Sequence, residues 1–342
     1  MFVSLMKLLT TILLLLTIFC APAQFDHSFN RISKNDGIGL ASNTIRCTYQ
    51  DKRGFMWVGT ANGLQRFDGN KFIWFSSSRP KQGTLPLTEI NQIIPQSNKE
   101  LWLYLKSFKK VGIFNTHNFK FTEVPIISKK SLPVSGEMKI HKDIYGNVFL
   151  FVWKYGVLKY DTARKVFTDD RLLQIPKNWF PSIFFHEDTV QKRLWMPCPD
   201  SGLIVYDYKT KKSYTSNYNP LKIPLLQIPS IQKNVWEFFI DSKRRHWVFN
   251  WKPNHQFNCF NEFGEALKDT AGLKANNGYA EIRYFFESKN KTLWMYGANA
   301  LVTYNKYDNA AKHFDKERSA RAKIDFRDIN HVMEDADGIV WV

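Results

Sequence analysis

The chain of 342 residues has little cysteine, no long run of like charges and only one long apolar stretch. Its cysteines, Cys20, Cys47, Cys198 and Cys259, include no Cys-x-x-Cys pair. This excludes a small disulfide-stapled scaffold and argues against a structural zinc site, so we expect neither a metal nor a cofactor. Hydrophobic residues make up 44% of the chain, which excludes a disordered protein.

The apolar stretch lies at the N-terminus and is typical of an export signal. Lys7 precedes it, and Ala21 and Ala23 stand where a signal peptidase needs small residues. The stretch is short for a membrane helix, which needs about 20 apolar residues. We therefore expect residues 1–23 to be a cleaved signal peptide and residues 24–342 to be the exported domain. The alternatives are an uncleaved anchor or a lipoprotein modified at Cys20.

Basic residues outnumber acidic ones by 48 to 31, which gives a net charge of +17. Nucleic acid is a poor partner for an exported chain, and we expect none to be bound. A basic exported surface suits anionic glycans or membrane headgroups. The simpler interpretation is that lysines are scattered over outward-facing strands and turns. The cysteines that remain after cleavage are expected to be buried, inert thiols.

An aromatic residue recurs through the chain at intervals of 45 to 52 residues. The members of this series are Trp57, Trp102, Phe149, Trp195, Trp247, Trp294 and Trp341. A period of about 40–50 residues is typical of propeller blades. We interpret these seven residues as anchors that pack between adjacent blades, and not as a binding site.

The first repeat shows four short strands, over residues 42–50, 55–60, 64–67 and 71–75, separated by tight turns. Asp51 and Gly54 bound one turn, and Asp68-Gly69 forms another, with residue types that such turns require. The sequence therefore predicts an all-β fold: a β-propeller of four-stranded antiparallel blades, with about six complete blades and a truncated seventh. Because residues 335–342 stop within a second strand, we expect the chain to be the N-terminal part of a longer protein.

The pattern Asp51-x-x-Gly54-x-x-Trp57-Val58-Gly59-Thr60-x-x-Gly63-Leu64-x-x-Phe67-Asp68 resembles the two-component regulator propeller repeat. The lead-in over residues 36–43 is similar to that family too. The resemblance implies an extracytoplasmic sensor, at the periplasmic face of the inner membrane in the intact protein and periplasmic or secreted as this chain alone. It also implies further signalling domains after the propeller, with a membrane span and a histidine kinase. Many members of the family resemble sensors of glycan breakdown products, and a homodimer of the intact protein is conceivable.

Ligand binding is expected on the face that carries the long blade-to-blade loops, because function concentrates on loops held by a rigid scaffold. Trp153 and Trp251 each follow their blade anchor by four residues, at the turn between the second and third strands. Tyr155 and Trp179 are predicted to lie on the same face. Exposed aromatic rings suit stacking against sugars. The alternative is that these residues pack locally against their own loops.

Three function classes remain open at this stage: a glycan sensor, an exported propeller enzyme acting on glycans as sialidases or lyases do, and a scaffold for protein partners. A constellation of Arg, Tyr and carboxylates in the central pore would favour the enzyme. An aromatic and amide-lined face would favour glycan sensing, and a flat apolar face would favour a protein partner. No catalytic residue can be assigned from the sequence.

Overall fold

A computed structural model describes residues 29–79, 81–134, 136–250, 256–267, 281–304, 311–314 and 328–342. The predicted signal peptide lies outside the described residues, as does Trp251. Within these ranges the chain is built from short antiparallel sheets with only brief 3₁₀ turns. Six of the sheets are propeller blades, and a two-stranded seventh sheet follows them. The all-β propeller predicted from the repeat is confirmed.

Each of the first three blades is a separate sheet, and within it the strands that follow one another along the chain pair with each other. Blade 1 contains β1 (Ile45–Gln50), β2 (Met56–Thr60), β3 (Gly63–Phe67) and β4 (Phe72–Trp74). A short parallel pair, β5 (Ser76–Ser77) and β6 (Leu85–Pro86), leads to blade 2. Blade 2 contains β7 (Ile90–Ser97), β8 (Glu100–Leu105), β9 (Lys110–Asn115) and β10 (Phe121–Val124). Blade 3 contains β12 (Met138–Lys142), β13 (Val148–Val152), β14 (Gly156–Asp161) and β15 (Val166–Asp169), with β11 (Ile126–Ile127) added in parallel at its outer edge.

The later blades keep this order. Blade 4 contains β16 (His186–Asp188), β17 (Arg193–Cys198), β18 (Gly202–Asp207) and β19 (Lys212–Tyr214). The described part of blade 5 contains β20 (Val235–Ile240), β21 (His246–Asn250) and β22 (Gln256–Phe260). Blade 6 contains β23 (Glu281–Glu287), β24 (Leu293–Ala298), β25 (Ala300–Tyr304) and β26 (Ala311–His313). The seventh sheet contains β27 (Met333–Glu334) and β28 (Val340–Trp341).

An aspartate at the first tight turn of a blade holds both the turn and the anchor. In blade 1, Asp51 accepts hydrogen bonds from the backbone N–H groups of Arg53 (2.9 Å) and Phe55 (3.2 Å), and from Nε1 of Trp57 (3.0 Å). Asp241 does the same for Trp247 (2.9 Å), and Asp335 for Trp341 (2.7 Å). One carboxylate thus fixes the turn and orients the large ring six residues later.

The blade that has phenylalanine as its anchor replaces the missing indole N–H. Asp143 accepts bonds from two turn N–H groups, as Asp51 does, but its second oxygen accepts from Nδ2 of Asn147 at 2.9 Å. In blade 2, Trp102 donates to Oε1 of Gln96 at 2.8 Å. Blades 2 and 3 have therefore lost the aspartate–tryptophan pair while keeping a polar bond at this junction, whereas in blade 4 Nε1 of Trp195 is buried without a hydrogen-bond partner among the described residues.

The anchors pack as inter-blade core. Trp57, Trp102 and Phe149 are fully buried, Trp195, Trp247 and Trp294 are at most 3% exposed, and Trp341 is partly buried. Trp57 packs with the core of blade 2, where its ring lies 5.8 Å from that of Phe114. The three described cysteines, Cys47, Cys198 and Cys259, are buried free thiols.

A second repeated contact joins neighbouring blades. The residue before the turn aspartate, or before the serine that replaces it, accepts a hydrogen bond on its side-chain oxygen. The donor is the backbone N–H of the residue that directly follows the turn aspartate or serine of the preceding blade. These acceptors and donors are Glu187 with Ile144, Glu287 with Ser242, Glu334 with Lys289, and Gln50 with Ala336, at 2.5 to 3.0 Å. The last of them joins the seventh sheet to blade 1, so the series runs around a ring.

Truncating an anchor tests the blade packing. Because Trp57 is fully buried, Trp57→Ala should lower the free energy of unfolding by about 3–5 kcal/mol, as large-to-small core substitutions do. Urea unfolding of the purified chain measures this. Trp74, which is 49% exposed on the outer strand of the same blade, gives the matched control Trp74→Ala. Equal losses for both variants would contradict the proposed packing.

The turn aspartate predicts a dependence of stability on pH. Burial alone would raise the pKa of Asp51, but hydrogen bonds from Trp57 and Arg53 bring it below its ordinary value. A lowered pKa stabilises the fold fully above the unfolded-state value of about 3.9, and this stabilisation is lost as the pH falls through the folded-state pKa. The difference in unfolding free energy between the wild type and Asp51→Asn should therefore be largest at neutral pH and shrink in acid.

Urea unfolding at a series of pH values measures that difference. Asp337→Asn is the control, because Asp337 is an exposed carboxylate in the equivalent turn of the seventh sheet. A difference for Asp51→Asn that stays constant down to acid pH would show that the ionised carboxylate does not hold the turn.

Candidate functional site

The first strand of each blade lies nearest the propeller axis. β1 contacts β7, β7 contacts β12, β16 contacts β20, and β20 contacts β23. Strands from successive sheets approach each other in this way only around a common centre. The side chains at the start of these strands therefore lie around the propeller axis, at the end where the turns between second and third strands also lie. We call this region the central channel.

An irregularity recurs at the same place in four of these first strands. The register shifts between Ile45 and Cys47, Ile90 and Gln92, Val235 and Glu237, and Ile282 and Tyr284. A bulge leaves one residue unpaired and re-aims the side chains beside it. The skipped residues are Arg46, Asn91, Trp236 and Arg283. The bulges thus break the regular alternation of side chains at the start of these four strands.

Two aromatic contacts join blades that are not neighbours. Trp153, in the turn between β13 and β14, lies 5.4 Å from Trp236 of blade 5, centroid to centroid. Phe184, just before β16 of blade 4, lies 5.5 Å from Tyr284 of blade 6. Each pair passes over an intervening blade, which is possible only close to the axis. Aromatic rings therefore gather at the channel mouth.

Two groups of opposite charge type lie among these rings. Lys139 on β12 places Nζ 5.0 Å from the ring centre of Phe185 and 5.9 Å from that of Phe184. Glu237 on β20 is 7% exposed, and its Oε2 has no hydrogen-bond partner among the described residues. Burial lowers the pKa of Lys139 and raises that of Glu237 well above its ordinary value, while each group opposes the shift of the other.

His331 completes the polar lining beside blade 1. Its Nδ1 lies 2.9 Å from Oγ1 of Thr48 and 3.3 Å from the backbone nitrogen of Thr48. Burial, with the positive charge of Lys139, lowers the pKa of His331 to about 4. A backbone N–H must donate, so Nδ1 accepts, and the ring is neutral at physiological pH.

Other charges near the channel are already paired. Nε of Arg46 lies 2.5 Å from Oε1 of Glu89, and Nη1 of Arg283 lies 4.0 Å from Oδ1 of Asp328. Burial, with the negative charge of Glu237, raises the pKa of Tyr284 to about 12, so its hydroxyl keeps its proton. The channel can therefore offer hydrogen bonds, aromatic faces and the ammonium of Lys139.

The four predicted ligand residues fall in different surroundings. Trp153 lies at the turn where the repeat register placed it, half-buried against Trp236. The hydroxyl of Tyr155 donates to Oδ1 of Asp169 at 2.5 Å, and its ring packs on the core between blades 2 and 3. Trp179 is half-buried against the core between blades 3 and 4. Trp251 lies outside the described residues.

Four side chains of the channel were not predicted from the sequence, although they share one register position: Lys139, Glu237, Tyr284 and His331. Each lies ten residues before the anchor of its repeat, which is Phe149, Trp247, Trp294 or Trp341. Counting back from every anchor would have shown a lysine, a glutamate, a tyrosine and a histidine at an otherwise mainly neutral position. The residue types at this one position of the repeat were therefore a signal for the channel that the sequence already contained.

Two further features bear on the chemistry of the described residues. They contain no group of three or more His, Cys, Asp or Glu side chains that could hold a metal ion. Within the same ranges, no helix is long and apolar enough to cross a membrane.

Comparison with known proteins identifies the repeat. Residues 39–62 match the family model described as two component regulator propeller. The chain therefore carries this repeat, as the motif around Asp51 and Trp57 predicted. No curated protein sequence matches the chain.

Solved structures similar in fold include the following two. One is the extracellular domain of BT3049 from B. thetaiotaomicron, assigned as a hybrid two component system, with 16% identity and a TM-score of 0.66 over 92% of this chain. This chain spans only 40% of that one. The other is the β-propeller domain of Cps50 (Swd1) from Myceliophteria thermophila, with 10% identity and a TM-score of 0.50 over 81% of this chain and 88% of that one. At such identities the likeness shows a shared fold.

Proposed function

We propose that this chain is the ligand-sensing propeller region of an extracellular two-component sensor and that its ligand is a glycan. The sensor role is supported by the two component regulator propeller match and by the fold shared with the extracellular domain of BT3049. In the intact protein, signalling domains elsewhere would receive the response, and residues 1–23 would direct export.

The aromatic pair Trp153 and Trp236 carries the glycan assignment. The two rings meet at the channel mouth at an interplanar angle of 40°, and both residues are partly accessible. Indole rings offer apolar faces to the C–H groups of a sugar ring and polar edges to its hydroxyls. Hydrogen-bonding groups such as Asn91 and Tyr284 lie at the same end of the channel. This combination is typical of a small-molecule site, in which apolar walls carry a few placed polar groups.

Binding measurements on aromatic variants test the assignment. We expect an array of oligosaccharides to contain at least one ligand, and Trp153→Ala or Trp236→Ala to weaken its binding at least about ten-fold, the equivalent of about 1.4 kcal/mol. Isothermal titration calorimetry measures the affinity. Trp74→Ala is the control, because Trp74 is a half-exposed indole on β4, the strand of blade 1 most distant from β1 in the sheet order.

Melting temperatures separate ligand contact from packing. If both variants melt far below the wild type, the rings pack the fold. If the array contains no ligand, the glycan assignment is wrong. Normal binding by both variants would move the site away from the channel mouth.

An exported enzyme acting on glycans is the second candidate. The observation that favours it is the channel constellation of Glu237, Tyr284 and the Arg46–Glu89 ion pair. Glycosidases use two carboxyl groups about 5–10 Å apart, and the acid of the pair has a raised pKa. Burial raises the pKa of Glu237 in this direction. If the chain is an enzyme, new reducing ends will accumulate on incubation with the bound oligosaccharide, and Glu237→Gln will abolish them.

A further inference from the structure

Lys139 and Glu237 are opposite in charge type and lie in one channel, yet they do not pair with each other. Lys139 comes from blade 3 and Glu237 from blade 5, so blade 4 lies between their strands. Among the described residues, no hydrogen bond or ion pair involves the ammonium of Lys139, and Oε2 of Glu237 is buried without a partner. Buried polar atoms are almost always satisfied, so the unmet oxygen of Glu237 points to a ligand, and the half-buried ammonium of Lys139 lies in the same channel without an anion.

The ammonium is held in place by aromatic faces. The rings of Phe184 and Phe185 lie within 6 Å of Nζ, a distance at which cation–π attraction is significant. These contacts stabilise the charged form and leave the donor N–H groups of the ammonium available, since aromatic faces do not use them as a carboxylate would.

The remaining titratable groups leave this positive charge uncompensated. Arg46 is neutralised by Glu89, and Arg283 faces Asp328. The ring of His331 is neutral, and that of His141, whose pKa burial and Lys139 lower to about 3, lies 3.5 Å from Glu187. Glu237 lies on blade 5 and makes no ion pair with Lys139 of blade 3. Among the described residues, Lys139 is therefore a channel cation that has no anion in contact with it.

We propose that the central channel is a binding site for a carboxylate-bearing sugar, with the ligand carboxylate on Nζ of Lys139 and a ligand hydroxyl on the carboxyl group of Glu237. The inference rests on the proposed glycan-sensing function and adds the chemical class of the glycan. The carboxylate supplies the acceptor that Lys139 lacks. The hydroxyl supplies the partner that Oε2 of Glu237 lacks. Asn91, whose buried Oδ1 is also unpartnered among the described residues, can accept from a second hydroxyl.

A neutral or cationic ligand fits less well. A neutral sugar would displace water from the half-buried ammonium of Lys139 without supplying an anion, which costs free energy. A cation would approach Lys139 with like charge. An acidic sugar meets both requirements, and its ring can lie against the Trp153–Trp236 pair at the mouth.

A matched pair of sugars tests the inference. Methyl β-D-glucuronide and methyl β-D-glucoside differ only in the carboxylate, and acetate supplies the carboxylate alone. For the full wild-type chain we expect the glucuronide to bind at least ten-fold more tightly than the glucoside in isothermal titration calorimetry. Lys139→Met should remove this preference, and Lys139→Arg should retain part of it because the charge remains.

An exposed lysine far along the chain from Lys139 provides the control variant. Lys52→Met, at an exposed lysine in the first turn of blade 1, should leave the preference unchanged. Equal binding of the two glycosides, no binding of either, or a preference that survives in Lys139→Met would overturn the inference. Binding of acetate as tight as that of the glucuronide would keep the carboxylate site and remove the sugar from it.

The failure of this inference is distinguishable from failure of the proposed function. If a neutral oligosaccharide binds in a Trp153-dependent manner while the glucuronide shows no advantage, the glycan sensor stands and the acidic class falls. If no oligosaccharide of any kind binds, both fall. A melting-temperature scan of each variant excludes unfolding as the cause of a lost preference.

Discussion

In blades 1 and 5 and in the seventh sheet, the bond between a turn aspartate and an anchor indole ties the tight turn to the packing between blades. In blade 1, Asp51 uses one oxygen for two turn N–H groups and the other for Trp57. A buried indole N–H without an acceptor would cost free energy, and a tight turn without its acceptor would fray. Because one carboxylate meets both needs, the turn that starts the second strand also sets the ring that fills the gap to the next blade. The strands can then be short.

Three of the less similar repeats keep the left-handed backbone conformation of this turn although they have no glycine there. The position three residues before the anchor has positive φ in six repeats, with glycine at Gly54, Gly146 and Gly338 but lysine or arginine at Lys192, Arg244 and Lys291. A left-handed conformation costs a residue with a side chain about 1–2 kcal/mol. Arg244 offsets that cost by a two-pronged ion pair with Asp188 of blade 4, at 2.6 and 2.9 Å. Arginine at this position thus costs conformational free energy that glycine would not, but it forms an ion pair between blades 4 and 5.

The sequence could predict contacts within one blade, but not contacts between blades that are distant along the chain. Turns are local, so Asp51, Gly54 and the repeat of Trp57 predicted the strands and their order in the blades correctly. The channel is not local: Lys139, Glu237 and His331 meet only after blades 3, 5 and 7 have been arranged around an axis. The bulges that re-aim Trp236 and Arg283 have no residue signature of their own, because a bulge depends on the register of the neighbouring strand. Trp153 was placed correctly at its turn, but its contact with Trp236 depended on such a bulge.

The channel also offers a physical route from binding to a signal. Adjacent blades are joined by a few polar contacts, such as Gln50 with Ala336, and by anchors packed between sheets. A ligand held by Lys139 and Glu237 would add a direct link between blades 3 and 5, which otherwise meet at the axis through Trp153 and Trp236. A ligand shifts a conformational equilibrium only through contacts that differ between two states. A bridge across non-neighbouring blades would be such a contact, since its strength depends on the relative positions of the blades it joins.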